Sequence, residues 1–429
     1  MKRLDIQLLR GVAVLGVMLA HFGALLPGGF IGVDVFFVIS GFVITLSLWS
    51  LRKTEASTKR LLTLFWRRRF FRLVPILVVV LAATLVGAIL SLPPIEFGDQ
   101  VEMSVWSAFF AANIGVELST GDYFDPGVEE NWMMHLWSLG VEEQFYLIFP
   151  LVFLIFIASS WGQRRASRSF VAVGSLILVS FALSLLNDTD DALGLGGFFT
   201  ESAGISALLG YYSPLTRAWQ FLLGVLAALI TIRSGTRSKQ WVPPLGVGIL
   251  LTSFIVVPES NLLPGIPTVL PMVAVFLILL YPLPEGFLAS RGLRPLRWLG
   301  DRSYSTYLWH WPVWIILSYH LQAGILTIGL AFAATVTLAA LSYRFIELPF
   351  NEKGKAGPFN SPGKSKLKTS HSAGNSDLVS MARNTFVGIS IVGLLFFASI
   401  GFEGHLYNSA YKEFWLSVQD NETQSTYGL

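Results

Sequence analysis

Two ionisable side chains share one face of an apolar segment near the start of the sequence. Arg10 and His21 lie eleven residues apart within residues 6–26, which is close to three helical turns and about 16 Å along a helix axis. A single histidine in such a segment is often a hydrogen-bonded packing residue, whereas ionisable groups inside a membrane segment usually face a wet cavity. Because an imidazole exchanges protons near neutral pH, we predict that His21 is catalytic.

A basic cluster marks the beginning of another apolar segment. The run FWRRRFFR at 65–72 places Arg68 and Arg72 at i,i+4 and Arg69 and Arg72 at i,i+3, so a helix would bring these side chains to one surface. Such clusters commonly anchor a helix at the membrane surface, but guanidinium groups also bind phosphates through charge-assisted hydrogen bonds. We predict that Arg68, Arg69 and Arg72, together with Arg10, bind an anionic ligand.

Three carboxylates lie within apolar segments, where each needs a partner. Asp34 lies early in its segment, and Glu142 and Glu143 lie one turn into theirs. A carboxylate beside His21 would fix the tautomer of the ring and raise its basicity. We therefore predict that Asp34, Glu142 and Glu143 are catalytic, with Asp34 or Glu143 orienting His21. The alternative is a structural polar network.

Four further residues complete the candidate site. Arg217 begins a later segment, where it could bind an acidic partner such as Glu142 or an anionic acceptor, and we predict that Arg217 and Trp137 bind the acceptor. Tyr307 and His310 lie in the run SYSTYLWHWP and are predicted to bind the donor. An aromatic run at a membrane boundary is otherwise an interface belt. With no cysteine in the chain, no cysteine metal site exists, and we predict no metal.

The composition predicts the elements that hold these residues. Of 429 residues, 53% are hydrophobic and 13% are charged, and the mean hydropathy is +0.61. A soluble domain carries roughly 25% charged residues, so the sequence predicts an all-α polytopic membrane protein. Stretches of about 20 mostly apolar residues predict eleven spans. These are 6–26, 31–51, 73–93, 137–157, 169–186, 215–232, 242–257, 264–282, 304–320, 322–346 and 384–404.

The basic residues predict the orientation of these spans. With the N-terminus in the cytoplasm, 26 of the 30 lysines and arginines fall on the cytoplasmic side, as the positive-inside rule requires. This count holds only if the apolar stretch 101–117 does not cross, so we predict an outer-face or re-entrant helix there. The C-terminus is then extracytoplasmic, as are the loops 94–136 and 187–214.

The chain divides into four predicted parts. Residues 1–350 form a ten-span transmembrane domain, and 351–383 form a cytoplasmic flexible linker rich in Gly, Ser, Lys and Pro. The eleventh span follows at 384–404, and 405–429 form an extracytoplasmic tail.

Six motifs make the chain resemble the acyltransferase-3 family of bacterial membrane O-acyltransferases, over roughly residues 1–350. The family signature Arg-x10-His matches Arg10 and His21, and its Arg-x-x-Arg motif matches Arg69 and Arg72. Together the motifs are highly specific. They are LDIQLLRG at 4–11 with His21, GVDVFFVISG at 32–41, RFFR at 69–72, HLWSLGVEEQFY at 135–146, YSTYLWHWP at 304–312 and ELPF at 347–350.

The resemblance implies transfer of an acyl group, commonly acetyl, from cytoplasmic acetyl-CoA to a hydroxyl of an extracytoplasmic glycan such as O-antigen or peptidoglycan. It implies a bacterial cytoplasmic membrane protein, with acetyl-CoA as a cosubstrate rather than a permanently bound cofactor, and no nucleic acid partner. The eleventh span resembles the subfamily fused to an SGNH domain, which we expect to act in cis in a longer chain or in trans. The alternative is a transporter or flippase for a glycolipid or small metabolite, although no internal repeat supports it.

Overall fold

All regular secondary structure in the described part of the chain is helical. The computed structural model describes residues 3–92, 94–120, 131–158, 166–189, 210–258, 264–322 and 324–355, and no strand occurs in these ranges. The predicted eleventh span and tail, most of the predicted linker and parts of both predicted outer loops lie outside the described residues. The prediction of an all-α polytopic membrane protein is confirmed.

Fifteen α-helices occur in the described ranges. In chain order they are α1 (Leu4–His21), α2 (Gly32–Thr54), α3 (Thr58–Ser91), α4 (Pro94–Ala108), α5 (Ala112–Thr120), α6 (Trp137–Val152), α7 (Ala166–Thr189), α8 (Pro214–Ser234), α9 (Val242–Val256), α10 (Ile266–Leu280), α11 (Glu285–Leu288), α12 (Arg294–Asp301), α13 (Ser303–His320), α14 (Ile325–Ser342) and α15 (Leu348–Lys355).

Ten of these helices occupy the first ten predicted spans. Within the described ranges, seven helical stretches are long and apolar enough to cross a membrane, and they contain α1, α2, α3, α6, α7, α8 and α14. Helices α9 and α10 have 15 residues each, which is fewer than the roughly 20 needed to cross the hydrocarbon core. Helix α13 has 18 residues but is rich in hydroxyl and aromatic groups. The number of crossings and the orientation therefore stay predictions.

The apolar stretch 101–117 is broken into two helices. Helix α4 ends at Ala108 and α5 begins at Ala112, and between them Phe110 has a φ of 56°. That left-handed conformation ends a right-handed helix. The fragments of 15 and 9 residues are too short to cross the bilayer singly.

Helix α1 ends at the residue predicted to be catalytic. The N–H of Phe22 donates to the carbonyl of Met18 over 2.8 Å, and the backbone then leaves the helix through Gly23 (φ 75°) and Ala24 (φ 53°). Glycine adopts this left-handed conformation without strain, as is common just after a helix. His21 therefore lies in the last turn of α1, directly before the residues whose left-handed backbone angles end the helix.

The arginine cluster and the predicted membrane span that follows it lie on one continuous helix, α3. The hydroxyl of Ser57 accepts from the N–H of Arg60 and caps the helix, which then runs 34 residues from Thr58 to Ser91. That length is about 51 Å, against a hydrocarbon core of about 30 Å. The helix begins 15 residues before the predicted span, so the cluster is helical rather than part of a loop.

Two glycines allow α2 and α8 to touch through their backbones. A Cβ atom on Gly41 would lie 1.9 Å from the carbonyl oxygen of Phe221, and one on Gly224 would lie 1.9 Å from the carbonyl oxygen of Val38. Only glycine fits at such distances. In lipid, close approach of small residues is a main source of helix association.

Helices α1 and α12 meet in the same manner. A Cβ on Gly11 would lie 2.0 Å from the carbonyl oxygen of Leu296, and one on Gly300 would lie 1.8 Å from that of Gln7. By contrast, a Cβ on Gly174 in α7 or Gly329 in α14 would meet nothing within 4 Å.

A buried ion pair joins α2 to the first turn of α8. The Nη1 atom of Arg217 donates to Oδ1 of Asp34 over 2.7 Å, and the two side chains are 1% and 3% exposed. Gln220 donates to the same carboxylate oxygen over 2.9 Å, and Nε of Arg217 donates to the carbonyl of Tyr211 over 3.0 Å. The hydroxyl of Ser213 caps α8 and so fixes where Arg217 enters the bundle.

We expect the glycine contact to be required for packing. Gly41→Ala and Gly224→Ala should each lower the apparent Tm of the detergent-purified protein by roughly 5 °C or more, because inserting a methyl group into a packed contact costs about 1–3 kcal/mol. Gly329→Ala, whose added methyl meets open space, is the matched control and should leave the Tm unchanged. Equal Tm values for all three variants would contradict this packing.

The ion pair should show strong coupling. Asp34→Asn or Arg217→Gln leaves one buried charge unpaired, which costs about 3–5 kcal/mol, whereas the double variant leaves none. We expect the double variant to unfold at a higher temperature than either single variant. Additive effects would mean that the pair does not act as a unit. Acyl transfer by a folded double variant tests the predicted catalytic role of Asp34 separately.

Candidate active site

A cavity lies between α1, α2, α3, α6 and α13. It encloses about 740 Å³ of space, part of it open to solvent. Its wall combines three guanidinium groups, one carboxylate, six hydroxyl groups and an apolar side. The lining residues are Arg10, Val33, Phe36, Phe37, Ile39, Ser40, Val43, Arg69, Arg72, Leu73, Ser138, Leu139, Glu142, Tyr146, Ser303, Tyr304 and Tyr307.

The arginines give this cavity an excess of positive charge. Arg10 on α1 and Arg69 and Arg72 on α3 all line it, as the sequence predicts for binding of an anionic ligand. The guanidinium of Arg69 lies 4.3 Å from the centre of the Tyr146 ring, a distance typical of a cation–π contact. Arg68, the fourth predicted member, is not among the lining residues, because successive side chains on a helix point in different directions.

Glu142 is the cavity's carboxylate, and two hydroxyl groups hold it. Ser40 and Tyr146 both donate to its Oε1, and the Tyr146 hydroxyl also contacts Oγ of Ser40 over 2.9 Å. Glu143 is not among the lining residues, and its buried Oε1 has no hydrogen-bond partner among the described residues. The two adjacent predicted catalytic glutamates therefore occupy different environments.

His21 lies outside the cavity wall and is linked to the wall residue Tyr307 through His310. Nδ1 of His21 lies 3.0 Å from Nε2 of His310, and Nδ1 of His310 lies 2.5 Å from the carbonyl oxygen of Tyr307. The Tyr307 hydroxyl, which lines the cavity, lies 2.6 Å from Oγ of Ser138 and donates to the carbonyl of His135 over 2.6 Å. The predicted catalytic histidine thus belongs to one polar cluster with Tyr307 and His310.

The ring of His135 lies beside this cluster. Its centroid is 5.3 Å from that of His310, nearly perpendicular to it. Neither ring nitrogen of His135 has a hydrogen-bond partner among the described residues, so the ring contacts the cluster by packing alone.

The predicted pairing of His21 with a carboxylate is wrong. Asp34 is bound to Arg217 and Gln220, and Oε1 of Glu143 has no hydrogen-bond partner among the described residues. A guanidinium can satisfy a buried carboxylate with a full opposite charge, so Arg217 takes the partner that the sequence assigned to the histidine. His21 is instead paired with a second histidine from α13.

The two residues predicted to bind the acceptor lie outside the cavity wall. Arg217 is 1% exposed and Trp137 is 4% exposed, and the guanidinium lies 5.1 Å from the centre of the Trp137 ring and 4.1 Å from that of Tyr211. These contacts account for both residues by packing, and acceptor binding by either stays a prediction.

Several site residues do not follow from the sequence reasoning. Tyr146 is four residues after Glu142 on α6, so helical spacing alone could have paired them. Ser40 and Ser138 carry no such signal, because serines are common in membrane helices and only packing brings them to the cavity. Glu347 is 5% exposed and accepts a hydrogen bond from the Ser305 hydroxyl over 2.9 Å. It belongs to the motif ELPF at 347–350, from which no role for this residue is predicted.

Comparison with known proteins supports a common origin for this arrangement. O-acetyltransferase OatA of Staphylococcus aureus is 32% identical over 363 residues, covering 81% of this chain and 57% of that protein. Peptidoglycan O-acetyltransferase OatA of Listeria monocytogenes is 31% identical over 353 residues, covering 81% of this chain and 55% of that protein. The chain therefore spans a little over half the length of these curated relatives. No solved structure matches it significantly.

The family assignment covers the whole bundle that surrounds the cavity. A family model described as an acyltransferase domain matches residues 3–344. This range contains every residue that lines the cavity, as well as His21, His135 and His310. The chain belongs to the acyltransferase-3 family.

Proposed function

We propose that this chain is a membrane O-acetyltransferase that moves an acetyl group from cytoplasmic acetyl-CoA across a bacterial cytoplasmic membrane to a hydroxyl of an extracytoplasmic glycan. The relatives support acetyl transfer to oxygen, and the name of the Listeria relative favours peptidoglycan over O-antigen as the acceptor. The predicted SGNH domain, in cis or in trans, would then complete transfer to the glycan, so every assay of transfer to a glycan oligomer includes an SGNH domain supplied in trans. The observation that carries the proposal is the arginine-lined cavity together with the position of His21 beside it, where His310 links His21 to the wall residue Tyr307.

The donor fits the charge and shape of the cavity. Coenzyme A carries several phosphates on one end of a long, thin arm that ends in the thioester. Arg69 and Arg72 would bind phosphates through charge-assisted hydrogen bonds, and Arg10 extends the positive surface along α1. The apolar side of the cavity, formed largely by α2, would accommodate the arm. This route leads from the predicted cytoplasmic side towards the end of α1 that carries His21.

The chemistry needs one proton acceptor. In the direct route, the oxygen of the acceptor hydroxyl attacks the thioester carbonyl while His21 takes the proton of that hydroxyl. The carbon–sulfur bond breaks, and the imidazolium returns the proton to the coenzyme A thiolate. In the alternative route, a nitrogen of His21 attacks the thioester carbonyl, the carbon–sulfur bond breaks and coenzyme A leaves as its thiolate. An acceptor hydroxyl, of the glycan or of the SGNH domain, then attacks the acetyl-histidine, which breaks the carbon–nitrogen bond, and the hydroxyl proton passes to the thiolate or to solvent.

Arginine variants test donor binding. Arg69→Ala combined with Arg72→Ala should weaken binding of acetyl-CoA at least tenfold, measured by calorimetry on the protein in nanodiscs, because two charge-assisted contacts of about 1.5–3 kcal/mol each are lost. Arg68→Ala, on the same helix but outside the cavity wall, is the matched control. If Arg68→Ala weakens binding as much as the double variant, the cluster acts as a general membrane anchor.

A histidine variant tests the catalytic centre. His21→Ala should abolish acetyl transfer to an oligomer of N-acetylglucosamine in proteoliposomes, while the protein keeps its Tm and its affinity for acetyl-CoA. Near-normal transfer would refute the role of His21. In the wild-type protein, rapid quenching with labelled acetyl-CoA should trap an acetyl-histidine if the carrier route operates, and none in a single turnover if the direct route does. A transporter would show neither hydrolysis nor transfer of the acetyl group.

A further inference from the structure

We propose that His310 is a positioning residue that fixes the tautomer of His21, holding the proton on Nδ1 and leaving the lone pair on Nε2. This inference rests on the proposed role of His21 as the group that takes a proton or an acetyl group. It assigns to His310 a role different from the donor binding predicted from the sequence.

The first step is the contact between His310 and the backbone. Nδ1 of His310 lies 2.5 Å from the carbonyl oxygen of Tyr307. A carbonyl oxygen has lone pairs and no hydrogen, so it can only accept. Nδ1 of His310 must therefore carry the hydrogen. In the neutral ring, the other nitrogen, Nε2, is then an acceptor.

The second step passes this constraint to His21. Nε2 of His310 lies 3.0 Å from Nδ1 of His21, and a hydrogen bond between two ring nitrogens needs one donor and one acceptor. Because Nε2 of His310 accepts, Nδ1 of His21 donates. The planes of the two rings differ by only 10°, an orientation in which an N–H in one ring plane can point at a lone pair in the other.

The surroundings hold both rings in this arrangement. His310 is 0% exposed, so water cannot replace either of its partners. The ring of Trp311 meets the ring of His21 edge-on at 4.8 Å, and His135 meets His310 nearly perpendicularly at 5.3 Å. Rotation of either imidazole would break the hydrogen bonds and these ring contacts. The pair is thus pre-organised before any ligand binds.

The chemical consequence lies at Nε2 of His21. A general base or a nucleophile needs its lone pair on the nitrogen that meets the reacting atom, and the hydrogen bond made by the opposite nitrogen selects which one that is. Enzymes often use a carboxylate for this purpose. Here a backbone carbonyl, through a neutral histidine, fixes the tautomer without placing a second charge in the bundle, where an isolated charge is costly.

The direct test reads the tautomer rather than the activity. Protein labelled with nitrogen-15 histidine in nanodiscs should give the signals of an Nδ1–H, Nε2-bare ring for His21, assigned by their loss in His21→Ala. In His310→Phe, which keeps a ring but removes the acceptor, His21 should lose this single tautomer. In His310→Gln, whose amide oxygen can still accept, it should be retained. An Nε2–H ring in the wild-type protein would overturn the inference even if no variant folds.

Kinetics supply the second readout. With acetyl-CoA and an N-acetylglucosamine oligomer, His310→Phe should lower kcat by about 100-fold or more, with KM for acetyl-CoA unchanged, and His310→Gln should restore much of the loss. His320→Phe is the matched control, because His320 lies on the same helix and pairs with the Ser91 hydroxyl at 2.8 Å away from the cluster. A raised KM with normal kcat would return His310 to donor binding and overturn the inference.

The two proposals fail in distinguishable ways. If His21→Ala keeps full transfer activity, the proposed function of His21 fails whatever the tautomer is. If His21 is essential but keeps its Nδ1–H signal in His310→Phe, the positioning role fails and the proposed function stands.

Discussion

A charged side chain in the bilayer interior is costly unless it is paired inside the protein or faces a wet cavity, and this constraint shapes the bundle. Asp34 and Arg217 neutralise each other where α2 meets α8. Glu142 takes hydroxyl donors from its own helix and from α2. His21 pairs with His310. Three arginines without a carboxylate partner of this kind among the described residues, Arg10, Arg69 and Arg72, line one cavity.

Helix α1 carries two kinds of polar group at different heights. Arg10 contributes positive charge to the cavity wall, whereas His21, at the end of the helix, lies in a cluster of imidazole and hydroxyl groups. In the proposed mechanism, this order suits a donor whose phosphates and reactive carbonyl lie far apart on one molecule. Donor binding and reaction would then be carried by different residues of α1, with α3 and α13 supplying the remaining groups.

The sequence predicted which side chains share a face of the same helix, because that depends only on their spacing. Spacing placed Arg10 and His21 on one face, and Arg69 and Arg72 reach the cavity as their helical spacing suggested. Pairings between helices were not predictable, because they depend on packing that no local pattern encodes. Asp34 and His21 lie on neighbouring helices, α2 and α1, and do not pair with each other. The Asp34 carboxylate pairs with Arg217, 183 residues later in the sequence, and His21 pairs with His310, 289 residues later.

The glycine contacts fix the spacing of four helices. Where α2 meets α8, and α1 meets α12, main chain rests on main chain, so neither pair can slide without a collision, and side-chain substitution cannot adjust the fit. Both α1 and α2 carry residues that line the cavity. The width of the cavity is therefore set in part by the absence of four side chains, those of Gly11, Gly41, Gly224 and Gly300.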